Sequence, residues 1–413
     1  MAWPGNPTEE RAIHAARSPQ FRRGGARTLT VLAAAAVLAA GALGPADAIE
    51  SDDTITVAYR GHEFTVPASW QVVDLDKDPD ACVRFDRHAL YLGTPGDQQN
   101  CPAGATGRTE ALLIQPGSGG GSTVTENRTA GTYRVTADGI IVTATYGEDR
   151  TKIQDILGKA GLPVAAAQKG PTAGAPEAAA LPADATSFRG EGFDACTAPG
   201  QSAMDAWRDD SDYGAVGVYI GGINRACAQT HLTAGWLRKQ YANGWRFFPL
   251  YVGRQPTSDG GSCGGGCAAI TDPVPEGTEA ADDAAKQATA LGFGKGTVIY
   301  DDLENYTPGG SLTSQVLGYL DAYTKRLHKL GYRSGAYGNT SSLVTDLVAN
   351  KSRVTLPDVI HFARWDGRST TADSSIPASQ WAKHQRIHQY LGDRTETHGD
   401  VTISIDRDRL DVD

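Results

Sequence analysis

The sequence predicts an α/β protein, a (β/α)8 TIM-type barrel over residues 188–413 preceded by a small α+β domain over residues 49–162. Three observations carry this expectation. Residues 188–413 hold eight short apolar runs with room for helices between them, and that alternation implies a parallel sheet with helices outside. Residues 163–187 form an Ala/Pro-rich linker without apolar periodicity, expected to behave as a semi-extended tether. Ahead of the linker, alternating runs are broken by turn dipeptides, which is hairpin patterning. An open doubly wound sheet is the alternative for the larger domain.

Residues 1–48 read as a signal peptide. Arg22, Arg23 and Arg27 precede an apolar stretch from Leu29 to Leu43. Ala46-Asp47-Ala48 then fits the small-x-small cleavage rule, so the mature chain is expected to begin near Ile49. The stretch is short of the ~20 residues that span a bilayer. This predicts no membrane span after cleavage and a secreted or envelope-associated product, exported by the Sec route or, given Arg22-Arg23, the twin-arginine route.

In the small domain, Thr54–Tyr59 alternates, turns at Arg60-Gly61 and resumes at Phe64-Thr65-Val66. Tyr133–Thr136 turns at Asp138-Gly139 into Ile140–Tyr146, and Asp-Gly between alternating runs is a strong hairpin signal. A short helix follows, with Ile153, Ile156 and Leu157 on one face and Gly161 closing it. No acid, base or metal constellation is visible here. The domain reads as a wall- or partner-binding module, or as a structural appendage.

In the larger domain the strand candidates are Gly190–Cys196, Ala215–Gly221, Arg246–Val252, Thr297–Leu303, Tyr332–Tyr337, Val359–Trp365, Arg386–Tyr390 and Val401–Asp406. Helices are expected from Leu232 to about Asn243, from about Gly277 to Leu291, and from about Leu312 to Leu330, each followed by a glycine. Neither G-x-G-x-x-G after the first strand nor G-x-x-x-x-G-K-[ST] occurs, so phosphate-cradling readings are weak.

The formal net charge is −10. The signal segment carries five Arg against Glu9, Glu10 and Asp47, a local +2, leaving −12 on the rest. Such an acidic chain is a poor general binder of nucleic acid, whose phosphates need Lys and Arg. The six cysteines, in an exported protein, are disulfide candidates. Locality favours Cys82 with Cys101, Cys196 with Cys227, and Cys263 with Cys267.

A barrel places its chemistry at strand C-terminal ends. Acidic residues stand there repeatedly: Asp194, then Asp301, Asp302 and Glu304, then Asp366, then Asp406 with Asp408 after it. Positions i and i+2 of a strand face the same way, so Asp302 and Glu304 share a face with Cα atoms roughly 6.6 Å apart, while Asp301 takes the other. Mutual repulsion can keep one of several carboxyls protonated near neutral pH, as a general acid must be. Two carboxyls of different protonation is what glycoside hydrolysis needs. Capping or loop-tying is an equal alternative for Asp194, Asp366 and Asp406. Tyr219, Tyr251, Tyr300, Tyr337, Trp365 and Tyr390 lie near strand ends, where rings can stack on sugars; core or rim packing is the favoured reading for each singly, and Trp365, beside Asp366, is the one expected to stack. His384 and His388 lack the intervening Glu of H-E-x-x-H and read as structural.

The segments Gly192-Phe193-Asp194-Ala195-Cys196, Val218–Gly222, Ile299–Glu304, Phe362–Gly367, Ile387-His388-Gln389-Tyr390 and Ile405-Asp406 occur in order. Together they closely resemble the glycoside-hydrolase-like domain of secreted actinobacterial proteins, a family distantly similar to the family 25 lysozymes. The resemblance covers residues 188–413. It implies a barrel whose relatives cleave the bond between N-acetylmuramic acid and N-acetylglucosamine in peptidoglycan, without metal or cofactor. Asp302-Leu303-Glu304 matches the lysozyme D-x-E, which implies Glu304 as proton donor and Asp302 as a stabiliser of developing charge or an orienter of the acetamido group. Asp194 matches the first-strand Asp, Asp406 the last-strand Asp, and Gln389-Tyr390 the Q-Y of the penultimate strand. The catalytic candidates are thus Glu304, Asp302 and Asp194. The substrate-binding candidates are Asp406, Asp366, Trp365, Tyr390, Gln389, Tyr219 and Tyr337. The expected partner is a cell-wall polysaccharide, peptidoglycan or a related amino-sugar polymer. Three readings follow: a muramidase-like hydrolase, a non-catalytic wall-binding protein, or a structural envelope protein. Intact Asp302 and Glu304 favour the first.

Overall fold

The computed structural model describes residues 53–118, 121–147, 149–164, 179–259, 263 and 266–413. The expected signal peptide and the centre of the expected linker lie outside those residues. Asp52–Asp413 forms one compact unit.

The chain begins with a two-stranded ribbon, β1 (Thr54–Tyr59) and β2 (His62–Pro67). A six-stranded sheet follows from β3 (Gln71–Asp74), β4 (Ala89–Leu92), β5 (Ala111–Pro116), β6 (Thr123–Asn127), β7 (Thr132–Ala137) and β8 (Ile140–Thr145), in spatial order 3-4-5-8-7-6. Asp138 and Gly139 both sit at positive φ and join β7 to β8, the conformation a two-residue hairpin turn demands. Helix α1 (Arg150–Lys159) starts at an Asp149 side chain that caps the Lys152 amide, and buries Ile153, Ile156 and Leu157. One sheet face buries Leu112, Ile114, Val135 and Val142 with these residues. The other face buries Val83, Phe85, Tyr91 and Leu113 against Ala228.

The rest of the unit is β9 (Phe188–Asp194), α2 (Gln201–Asp210), β10 (Tyr213–Gly221), α3 (Ala234–Ala242), β11 (Arg246–Tyr251), α4 (Pro273–Leu291), β12 (Val298–Asp302), α5 (Gly310–Leu330), β13 (Arg333–Asn339), α6 (Thr345–Ala349), β14 (Val359–Ala363), β15 (Gln385–His398) and β16 (Val401–Val412). The eight strands close into a barrel, but it is not the expected (β/α)8 TIM-type barrel. Strands β9 to β15 are parallel, whereas β16 runs antiparallel to both β15 and β9. No helix separates β14 from β15, and β15 turns directly into β16.

The physical reason lies at Gly399-Asp400. Both residues take positive φ, and His398 pairs with Val401 across them, so this is a two-residue hairpin rather than a crossover. The strand expected to stop at Tyr390 runs on to His398, and the one expected to stop at Asp406 runs on to Val412. The helix α2, which the sequence reading left out, packs Met204 and Trp207 on the barrel.

Alternation sorts the barrel residues. Phe193, Val216, Val218, Ile299 and Ile360 point outward into the helix layer. Ala215, Phe248, Val298, Tyr300, Val359, Ile387, Leu410 and Val412 fill the interior below the site. The cysteines pair as Cys82–Cys101, Cys196–Cys227 and Cys263–Cys267. Among the described residues no helix is long and apolar enough to cross a membrane.

Candidate functional site: an acidic cleft at the barrel mouth

A cleft of about 370 Å³ opens where the parallel strands end. Its walls include Asp194 from β9, Tyr219 from β10, Asp302 from β12, Glu304 just beyond it, Tyr337 from β13, Trp365 after β14, Gln389 from β15 and Asp406 from β16. Period-2 alternation explains the strand residues of the set: Asp194, Tyr219, Asp302, Tyr337 and Gln389 each follow an inward position two residues earlier, and Asp406, on the reversed strand, precedes inward Asp408.

Asp406 reaches the mouth by a route the sequence did not suggest. It pairs directly with Asp194 in the antiparallel register of β16 with β9, so it lies mid-strand. Its position at the level of the strand ends is therefore a consequence of the reversed strand.

Gln389 ties the group together. Its Nε2 donates to Asp194 Oδ2 at 3.0 Å and to Asp406 Oδ2 at 3.3 Å. Its Oε1 accepts from Tyr337 at 2.9 Å and from the Trp365 indole at 3.0 Å. Tyr219 donates to Asp194 Oδ1 at 2.7 Å, and the Asp393 amide donates to Asp406 Oδ1 at 2.7 Å. One layer deeper, His361 Nε2 bonds Asp408 Oδ1 at 2.8 Å. Trp365 is the exposed member at 55% and presents its ring at the rim.

Burial sets the protonation. Loss of hydration, reinforced by the neighbouring Asp408, pushes Asp194 up to about 8. Burial and then Asp194 push Asp406 up to about 8. Burial, then the charges of Glu304 and Asp194, holds Asp302 well above the usual carboxylate range. Asp408 is raised well above that range by burial, and burial also lowers His361 to about 4. The His361–Asp408 contact is therefore a hydrogen bond between neutral groups near pH 7. Glu304 differs from all of these in being only half-buried. Among the described residues Asp302 Oδ1 finds no hydrogen-bond partner, although Asp302 is 4% exposed and lines the cleft.

Asp194, His361 and Asp408 offer three ligand atoms within 4.8 Å of one another. The 2.8 Å between His361 Nε2 and Asp408 Oδ1 is hydrogen-bond spacing. Two tetrahedral zinc ligands at ~2.1 Å from the ion stand roughly 3.4 Å apart, so the pair fits a shared proton better than a shared metal.

Two of the sequence candidates lie elsewhere. Tyr390 alternates with Gln389, turns outward and donates to Glu191 at 2.8 Å. Asp366 is exposed and binds Arg368 through its amide and guanidinium. Among the other rings, Tyr251 bonds Asp283 and Tyr300 lies in the barrel interior. Asp301 faces the helix layer, toward Tyr319 at 3.5 Å. Three participants went unnoticed in the sequence. Gln255 donates to the Asp302 carbonyl at 2.8 Å and accepts from the Glu304 amide at 2.8 Å, fixing the backbone between the two acids. His361 looks like a core position inside Val359-Ile360-His361-Phe362-Ala363. Thr106 comes from the sheet domain and donates to Glu304 Oε1 at 2.9 Å.

Gly217 makes the floor possible. A Cβ there would stand 2.6 Å from both Asp194 Cβ and the Phe248 ring. Gly217→Ala is expected to destabilise the protein by about 1–3 kcal/mol through overpacking. Denaturant unfolding measures this; unchanged stability would mean that β10 relaxes without cost.

Residues 205–410 match the family model described as Rv2525c-like, glycoside hydrolase-like domain. Comparison with curated proteins finds no match. Three solved structures are similar to the chain. One is an uncharacterized B. stearothermophilus protein, 17% identical, covering 54% of this chain and 95% of that one with a TM-score of 0.37. Another is the Mycobacterium tuberculosis Tat-secreted protein Rv2525c in complex with L-tartrate, 15% identical, covering 54% and 96% with a TM-score of 0.39. The third is the Clostridium perfringens spore cortex lytic enzyme SleM, 12% identical, covering 54% and 67% with a TM-score of 0.34. At these scores the likenesses say nothing about the chemistry of the cleft.

Proposed function

Since residues 205–410 belong to the Rv2525c-like, glycoside hydrolase-like family, we propose that the cleft hydrolyses peptidoglycan or a related amino-sugar polymer, with Glu304 as proton donor. The observation that supports this reading is that Glu304 and Asp302 stand together in one cleft. A half-buried carboxyl stands at the cleft beside Asp302, Asp194 and Asp406, which burial holds raised. Carboxyls of different environment around one bond are what glycoside hydrolysis uses.

In this reading the Glu304 proton passes to the glycosidic oxygen as its bond to the anomeric carbon breaks. Water supplies the hydroxyl that completes the new reducing end and returns a proton. Asp302, held neutral, offers its unpartnered oxygen to the substrate acetamido group. Asp194 and Asp406 act through Gln389, which holds Tyr337 and the Trp365 indole in place. Trp365 gives the sugar a stacking surface.

The protein acts outside the cytoplasm in this proposal, exported by the signal of residues 1–48. The three disulfides support that compartment. The test is incubation of the mature protein with purified peptidoglycan, reading new reducing ends and soluble muropeptides. Release supports hydrolysis. No release, with the protein still sedimenting with the wall, overturns hydrolysis in favour of a binding protein.

A further inference from the structure

The barrel does not build the cleft alone. Gly104, Ala105 and Thr106, from the sheet domain, line it. The Thr106 hydroxyl donates to Glu304 Oε1 across 198 residues of sequence. Gly104 stands against the opposite acid: a Cβ built there would lie 3.8 Å from Asp406 Oδ2, its nearest neighbour.

This segment is pinned at both ends. On one side, Cys101 and its disulfide partner Cys82 pack with Ala105 on the Cys196–Cys227 bridge of the barrel. On the other, the Gly107 amide donates to the Asn224 carbonyl at 2.8 Å and the Arg108 amide to Gly266 at 3.2 Å. The buried Arg108 guanidinium donates to the Arg225 carbonyl at 2.6 Å. Phe85 and Ala228 exchange further backbone bonds between the two regions, with Ala226 and Val83. A segment held this way is a fixed wall, not a mobile lid.

We infer that the sheet domain completes the active cleft, with Thr106 as a positioning residue for Glu304 and Gly104–Thr106 as the wall that limits what enters. The inference rests on Glu304 being the proton donor. A glutamate side chain has several rotamers, and fixing one before substrate arrives removes an entropy cost from the reactive step. Because Thr106 donates to Oε1, the proton that Glu304 delivers is carried on Oε2. On the reaction itself Thr106 acts through Glu304.

Three variants test this in the full mature chain: Thr106→Val, Thr106→Ser and Gly104→Leu. Their crystal structures, melting temperatures and peptidoglycan kinetics are compared with wild type. Thr106→Val is expected to displace the Glu304 carboxyl and lower kcat about 10-fold with little change in KM. Thr106→Ser keeps the hydroxyl and restores both. Gly104→Leu has room at its base and is expected to raise KM, or abolish turnover, at an unchanged melting temperature. The inference fails if Glu304 keeps its position and kcat in Thr106→Val, or if Thr106→Ser is as impaired as Thr106→Val. If the wild type releases no reducing ends, the hydrolase reading falls by itself. The Glu304 position in the Thr106→Val and Thr106→Ser crystals then still decides for or against the hold of Thr106.

Discussion

Glu304→Gln is expected to slow glycan hydrolysis by about 10²–10⁴-fold while leaving sedimentation with the polymer intact. Glutamine keeps the shape of the side chain, and its amide oxygen can still accept from Thr106, which now bonds Glu304 Oε1 at 2.9 Å. What it lacks is a transferable proton. Asp302→Asn makes an informative contrast. Burial already holds Asp302 well above the usual carboxylate range, so the native group is a neutral acid. Asparagine resembles that neutral form, and Asp302→Asn is expected to cost less turnover than Glu304→Gln. The measurement is initial-rate release of reducing ends from purified peptidoglycan, with co-sedimentation in parallel. Retained hydrolysis in Glu304→Gln would remove Glu304 from the mechanism. Equal losses in both variants would mean that Asp302 works as an anion and that its environment changes when substrate binds.

The two acids at the centre of that prediction were legible because period-2 alternation is local. Asp302 and Glu304 share a face in any extended strand, whatever the rest of the fold does. Tyr219 and Tyr337 were legible as rings near strand ends and Gln389 through the family resemblance, and the same alternation puts Tyr390 outside, since adjacent residues face opposite ways. Tyr390 entered the candidate set as a ring near a strand end and through the Q-Y of the family resemblance. The barrel as a closed eight-stranded object was likewise readable from its apolar runs, but its mixed direction was not. The deciding signal, Gly399-Asp400, lies in a stretch with little apolar content, where Thr395, Glu396 and Thr397 conceal a strand that projects beyond the barrel. Thr106 was out of reach for a different reason. Its partner is 198 residues away, and neither local pattern nor composition encodes a contact between a sheet domain and a barrel mouth. Its neighbours Cys101 and Cys82 carried the only trace, a disulfide placed by proximity in sequence rather than by its packing on Cys196–Cys227.

Asp408→Asn is expected to stabilise the protein at pH 8 and to flatten the dependence of its stability on pH. In the native barrel Asp194 and Asp406 are pushed up to about 8, and Asp302 and Asp408 are also raised, with burial the first cause in each case. An unfolded aspartate releases its proton near 3.9. Between that value and about 8 the folded chain binds more protons than the unfolded chain, so stability falls as pH rises. His361 opposes this only at the acid end. Its value is lowered to about 4, so the unfolded chain binds the extra proton below about 6.5, and stability contributed by the neutral ring is lost as pH falls there. From pH 6.5 to 8 the carboxyls act alone. Each retained proton is worth about 2 kcal/mol over that interval, a fall in Tm on the order of 5 °C. Asparagine at 408 reproduces the neutral acid. Its oxygen can accept from His361 Nε2, which now bonds Asp408 Oδ1 at 2.8 Å, and its amide can donate to Asp194. Asp194 keeps the hydrogen bonds it accepts from Tyr219 and Gln389 in the variant. Thermal unfolding of wild type and variant at half-unit steps from pH 6 to 8.5 measures the effect. A wild-type Tm that rises through this range would show that the acids at the barrel mouth are ionised in the folded protein, and with it the reading of Asp302 as a neutral acid would fall.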